Sequence, residues 1–345
     1  MIRGDMYSDV IEEYNKYVER NKPLISVFIL THNRRTYLEL AVNSVLKQTH
    51  SGFVLWILNN GSADNTEAYL ESIVDNRVIY SNTNVHSSFN MRFARDICKT
   101  KYFIILHDDD LVEKTYLEEV LTHMEDNGYA ELSVGATYID GDGKDLTVLP
   151  KARFDNREYV FQRAEYLENF FESHFKEDCV CESLVYPSVI YRTSFYQSIG
   201  EVFLTEPGPA GDQLVHFETE RNGGTICYLA KSLIRYRIHG TQDSQQNAGF
   251  MDLQLMDYLI HNEYYKAVLD QKKEAIRSKI WLLYRAIVGK ACRKQISREK
   301  WESFFSYDCI QQLKKDPMGK CLYSKMRMVY HLPHIIGIYY KIVKG

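Results

Sequence analysis

Three consecutive carboxylates, Asp108, Asp109 and Asp110, stand just after the apolar run Tyr102 to Leu106 and His107. A run rich in aromatic and β-branched residues reads as a strand buried on both faces. The carboxyl end of such a strand is where open α/β sheets bind ligands. Adjacent acids near a buried edge repel one another unless a cation compensates them. Oxygen-only ligands suit hard ions such as Mg²⁺ or Mn²⁺. The competing reading is a solvated acidic turn in which Asp108 or Asp110 caps the next helix.

Three further polar clusters follow strands or open helices. Thr31 with Asn33, and Asn59 with Asn60, each follow an apolar run. Amide side chains donate and accept at once, so they can read a base edge, and equally they serve as turn and cap residues. Asp212 follows a stiffened loop, Pro207, Gly208, Pro209, Ala210 and Gly211. There it can take a proton or simply cap a helix. His239 ends the stretch that begins at Leu233, as a candidate ligand or a structural histidine.

The elements that must position these residues alternate in type. Strands are expected at Leu24 to Leu30, Phe53 to Leu58, Val78 to Tyr80, Tyr102 to Leu106, Glu131 to Ile139 and Ser188 to Arg192, then at Thr225 to Leu229 and Leu233 to Tyr236. Helical spacing falls between them, at Ser8 to Asn21, Thr36 to Gln48, Asp64 to Val74, Phe89 to Lys99, Lys114 to Asn127, Arg163 to Phe171 and Asp212 to Arg221. Such alternation implies parallel βαβ units, hence an α/β fold with a mainly parallel central sheet flanked by helices. Asp140 to Asp145 superficially resembles a calcium loop, but Asp145 stands where that loop needs Gly and no bidentate Glu follows, so a hairpin turn is expected. From Met251 the chain turns helical and basic, with apolar spacing over Leu253 to Leu269 and Ile276 to Val288. The polar link near residues 241 to 250 divides a catalytic domain, 1–245, from a basic helical C-terminal region, 246–345.

Composition narrows the class. The 345-residue chain is 45% hydrophobic and 26% charged, ordinary for a globular protein. Its net charge of −4 hides an asymmetry: from Lys266 onward there are 18 Lys and Arg against 6 Asp and Glu. Seven cysteines without framework or zinc spacing favour reduced thiols and a cytosolic setting. The first residues are charged, no apolar run reaches spanning length, and no secretory leader is expected. No G-x-x-x-x-G-K-[ST], G-x-G-x-x-G or G-x-S-x-G motif occurs, which argues against P-loop, dinucleotide-binding and α/β-hydrolase chemistry.

From Pro23 to His239 the chain resembles family 2 of the inverting, nucleotide-sugar-dependent glycosyltransferases of GT-A fold. The segments LISVFILTHNR, ILNNGSADNT, KYFIILHDDDL, AGDQLVHFETERNGG and IRYRIHG carry the likeness in order and spacing. The resemblance implies that Thr31, Asn33, Asn59 and Asn60 hold the nucleoside of a UDP-sugar. Members usually have Asp at the first position of that pair, where Asn59 accepts through its carbonyl. It also implies Asp108 near the ribose, Asp109 as a direct ligand of Mn²⁺ or Mg²⁺, Asp110 as an alternative ligand and His239 reaching the metal or diphosphate. Asp212 matches the catalytic base.

The activity so implied adds a sugar to a glycan or lipid-linked acceptor in capsule or lipopolysaccharide synthesis. Two alternatives stand beside it: a sugar-1-phosphate nucleotidyltransferase, and a non-catalytic nucleotide-sugar-binding scaffold. The tail, from Lys266 through His331 to Lys344, interleaves cations with aromatics. It suits either peripheral contact with the inner face of the plasma membrane or packing as a helical subdomain or oligomer partner. Nucleic acid is not expected, because no binding motif accompanies the charge.

Overall fold

The β-branched runs fold as buried strands with the amphipathic stretches laid across them. The structure, a computed structural model, describes residues 8–85, 87–147, 152–173, 179–200, 202, 211–240, 250–292 and 296–331. In chain order come α1 (Ser8–Asn21), β1 (Ile25–Thr31), α2 (Arg35–Leu46), β2 (Phe53–Asn59), α3 (Thr66–Glu71), β3 (Val78–Asn82), α4 (Ser87–Ile97), β4 (Tyr102–His107) and β5 (Leu111–Val112). There follow α5 (Tyr116–Asp126), β6 (Glu131–Ile139), β7 (Glu158–Phe161), α6 (Glu165–Glu172), β8 (Ile190–Arg192), α7 (Thr193–Ser198), α8 (Gly211–Arg221) and β9 (Ile226–Arg237).

Among the described residues nine strands make one sheet, in the order β3-β2-β1-β4-β8-β6-β9-β5, with β7 also paired to β9. β1 to β4 are parallel to their neighbours in that set, and β6 is parallel to β9. β8 runs antiparallel between β4 and β6, and β5 and β7 run antiparallel to β9. This is a GT-A type sheet, parallel over β1 to β4 and mixed beyond them. Strand alternation separates two cores. Ile25, Val27 and Ile29 pack with α2 and α5, whereas Phe28, Val54, Trp56 and Leu58 pack with α1 and α4. Trp56 sits against Tyr14, Phe28 and Phe93, a position where truncation to Ala costs about 3–5 kcal/mol.

One expectation is corrected. The two strands expected at Thr225 to Leu229 and Leu233 to Tyr236 are a single strand, β9. Lys231 and Ser232 look like a break, but the ladder with β6 shifts register around Gly135 and the chain stays extended through the irregularity. Asp140 to Asp145 is a hairpin turn: Asp140 N–H donates to Lys144 O, and Gly143 takes φ +85°.

The chain divides into two compact units, Met1–Phe203 with Val215–His239, and Leu204–Leu214 with Gly240–Gly345. The second holds α9 (Phe250–His261), α10 (Glu263–Leu269), α11 (Lys273–Cys292), α12 (Arg298–Ser303), α13 (Asp308–Gln312) and α14 (Pro317–His331). The apolar stretch Leu253 to Leu269 is two helices rather than one. Asn262 caps the second by accepting from Tyr264 N–H. Tyr284, Ile287, Phe304, Ile310 and Met326 are buried here. Among the described residues no helix is long and apolar enough to cross a membrane. Cys98, Cys179, Cys181, Cys227, Cys309 and Cys321 are free thiols. The link at 241–249, the loop Pro207 to Ala210 and the tail 332–345 lie outside the described residues.

Candidate active site

Strand register does the first part of the positioning. Thr31 lies opposite Asn59, Asn59 opposite Asn82, and Leu30 opposite His107. Parallel strands end in step, so the turns that follow β1, β2, β3 and β4 all leave the sheet at one rim.

The first two turns are laced together. Asn33 takes φ +53°, a left-handed conformation that Asn tolerates better than most residues. Its N–H donates to Ser62 Oγ at 2.9 Å, and its Oδ1 accepts from Ala63 N–H at 2.7 Å. His32 Nδ1 lies 2.7 Å from Asn60 O, and Asn60 Oδ1 accepts from Val85 N–H at 2.8 Å. Thr31 and Asn59 are buried at the ends of their strands.

The acids meet these turns. His32 N–H donates to Asp108 Oδ2 at 3.3 Å, and Arg34 Nη1 reaches both Asp108 Oδ1 at 3.2 Å and Asp109 Oδ2 at 2.9 Å. From the other side, pairing of β5 with β9 brings the end of β9 over the acids. Arg237, 1% exposed, donates its N–H to Asp110 Oδ1 and its Nε to Asp109 O, each at 2.8 Å. Its Nη1 holds Asp140 O and Gly141 O at 3.0 Å, and its guanidinium lies over Tyr37 at 4.7 Å. Two residues on, His239 Nε2 stands 2.9 Å from Asp109 Oδ2.

The three carboxylates do not share one electrostatic state. Burial pushes Asp108 up, with the Thr31 hydroxyl and Arg34 pulling the other way. Burial also pushes Asp110 up, opposed by the His107 ring. Asp109 is held below the usual range, because His107, the His239 hydrogen bond and Arg34 outweigh its burial. Burial opposes charge on His107, but Asp110, Asp109 and Asp108 together lift it to about 9. The cluster is thus short of positive charge and recruits a histidine to supply it.

That shortage bears on a metal. Asp110 is buried, and its Oδ2 accepts no hydrogen bond among the described residues; His107 Nδ1 stands 3.6 Å away. His107, Asp109 and Asp110 offer ligand atoms all within 4.8 Å of one another. A buried carboxylate oxygen without a donor suits a cation, so these residues fit one. The resemblance names Asp109, Asp110 and His239 for this role; His239 stands at the same cluster, its Nε2 2.9 Å from Asp109 Oδ2.

Asp212 is the second residue of α8, half-exposed, with Oδ1 accepting from Gln213 N–H at 2.8 Å. Further along the helix, His216 Nδ1 meets the fully buried Glu131 at 2.8 Å, and Thr219 and Tyr196 bond the same carboxylate. That network docks α8 on the start of β6.

The sheet order is that of the GT-A fold. A family model, "Glycosyl transferase family 2", matches residues 26–182. An uncharacterized glycosyltransferase of Haemophilus influenzae is 24% identical over 239 residues, 65% of this chain and 68% of that one. The putative teichuronic acid biosynthesis glycosyltransferase TuaG of Bacillus subtilis is 31% identical over 129 residues, 36% of this chain and 51% of its own. S. aureus TarS 1–349, solved in complex with UDP, superposes with TM-score 0.60 at 17% identity, covering 90% of this chain and 87% of that one. The same TarS piece was also solved with UDP-GlcNAc. Over residues 26–182 the chain matches glycosyltransferase family 2, and it is a glycosyltransferase.

Arg34, His107 and Arg237 carry no assigned role in the sequence. Arg34 and His107 adjoin assigned residues in the segments THNR and LHDDD, and that adjacency is the available signal. Arg237 reaches the acids only through pairing between distant strands.

Proposed function

We propose that the enzyme takes its sugar from a UDP-sugar and passes it, with inversion, to a glycan or lipid-linked acceptor of a surface polysaccharide. The observation that carries this is the donorless buried oxygen of Asp110 beside Asp109 and His107, at the rim where Thr31 and Asn59 also end. UDP as the nucleotide draws on the TarS complexes, and the polysaccharide setting on the name of TuaG.

Asp109, Asp110 and His107 would hold Mn²⁺ or Mg²⁺, with Asp108 turned to the ribose and His239 to the metal or diphosphate. The ion's contribution when bound is to neutralise charge on the departing nucleoside diphosphate. His107, the His239 hydrogen bond and Arg34 hold the Asp109 carboxyl below the usual range. Thr31, Asn33 and Asn60 line the nucleoside side, and Asn59 accepts from the imino N–H of the base. Asp212 takes the proton of the acceptor hydroxyl as that oxygen bonds to the anomeric carbon. The bond from that carbon to the diphosphate oxygen breaks in the same displacement. One displacement inverts the centre and needs no covalent nucleophile.

A thermal-shift screen of UDP-, GDP- and TDP-sugars, with and without Mn²⁺, tests the reading. A ligand bound only by the folded state raises its melting temperature, so UDP-sugars should do so, and more with the ion present. No shift with any nucleotide-sugar would reject it.

A further inference from the structure

Glu67 and Asn82, which the chemistry above does not use, form a chain of side chains that ends on Asn59. Asn82 Nδ2 donates to Glu67 Oε1 at 2.5 Å, and Asn59 Nδ2 donates to Asn82 Oδ1 at 2.8 Å. Asn59 and Asn82 are register partners on β2 and β3, and Glu67 projects from α3 beside them.

The direction of this relay follows from donor and acceptor counting. A carboxylate offers acceptors only, so Asn82 must face Glu67 with its amino group. That leaves the Asn82 carbonyl for Asn59, which must answer with its own amino group. The Asn59 carbonyl therefore points away from Asn82. On that side stands Ser62 N–H, again a donor only, at 3.4 Å. Both ends of the chain specify the same orientation. An Asp at position 59 would accept on either side and need no such help. An Asn can turn over and present its amino group, unless something forbids it.

We propose that Glu67 and Asn82 are positioning residues that hold Asn59 as an acceptor, and so set which base the donor nucleotide carries. A base with a ring N–H at that point, uracil or thymine, is taken. Cytosine, whose ring nitrogen there is itself an acceptor, is refused. Asn59 is only 2% exposed, so the base takes the place of Ser62 N–H, whose contact is already at the long end of hydrogen-bonding range. The inference rests on the nucleotide-sugar reading.

Calorimetric titration of the full chain with UDP and with CDP, at fixed Mn²⁺, tests it on Glu67→Gln and on the double variant Asn59→Asp, Glu67→Gln. Glu67 is exposed, so its replacement leaves the core untouched. The glutamine amide can donate or accept, which frees Asn82 and hence Asn59 to turn over. The wild type should prefer UDP, and Glu67→Gln should narrow that preference about three- to tenfold, the worth of one hydrogen bond. In the double variant the carboxylate at position 59 has no donor face, and discrimination should return. If the wild type discriminates but Glu67→Gln leaves the ratio unmoved, or the double variant fails to recover it, the relay proposal is overturned while the donor-site reading stands. Binding of neither nucleotide to the wild type overturns both.

Discussion

The main-chain N–H of Arg237 donates to Asp110 Oδ1 at 2.8 Å, while Oδ2 of the same buried carboxylate accepts no hydrogen bond among the described residues. One oxygen is thus anchored by the strand that leads to His239, and the other has only the His107 ring near it, Nδ1 at 3.6 Å. Half-satisfied buried carboxylates cost stability, and functional sites are where such costs persist.

Asp110→Asn should therefore act in two directions. Mn²⁺ affinity measured by titration should fall at least about tenfold, since a ligand is worth no less than the groups that merely orient one. In EDTA the variant should unfold later than the wild type, by about 1 kcal/mol, because a buried carboxyl without its full set of donors has been removed. Loss of stability with unchanged metal affinity would make Asp110 a structural residue.

Asp212→Asn should lower kcat about 10²- to 10⁴-fold, the range for a general base, while leaving the Kd for the donor nucleotide nearly unmoved. The variant keeps an oxygen for Gln213 N–H, so α8 should retain its start. Equal loss of turnover and donor binding would show that the residue shapes the site rather than moving a proton.

A pH effect should come from a residue away from the chemistry. Glu220 on α8 caps α6, its two oxygens accepting from Tyr166 and Leu167 N–H at 2.8 and 3.1 Å. Burial lifts its carboxyl to about 7 in spite of those bonds. A raised carboxyl pKa means that the folded chain keeps a proton the unfolded chain gives up. Its contribution to stability is thus complete below pH 4.5, falls as pH rises to 7 and is flat above, a loss of up to about 3 kcal/mol. Urea unfolding of Glu220→Gln at pH 5 and pH 8 should show a smaller difference than the wild type. An identical difference would mean that Glu220 ionises alike in both states.

The excess of Lys and Arg after residue 266 should bring the protein to anionic vesicles in co-sedimentation, and binding should fade as salt shortens the Debye length from about 10 Å at 0.1 M to about 3 Å at 1 M. Binding that ignores salt, or that is equal on zwitterionic vesicles, would remove the tail's charge as its cause.

The apolar runs determined by themselves that β1, β2 and β4 would be buried parallel strands, because a strand covered on both faces has no polar period to show. They placed the acids, Thr31 and Asn59 at strand ends, and therefore at a rim. They could not determine which side chains meet there. Arg237 bonds Asp109 and Asp110 from 127 or more positions away, and Lys231 with Ser232 hid the continuity of the strand that carries it. His107 and Arg34 stood in plain view, yet which face of the acids each would meet depends on where β5 pairs and how Asn33 turns the chain. The orientation of Asn59 depends on Glu67, which only the packing of α3 beside β3 brings near. Local sequence sets what a residue can donate or accept. Only the fold decides which partner it faces.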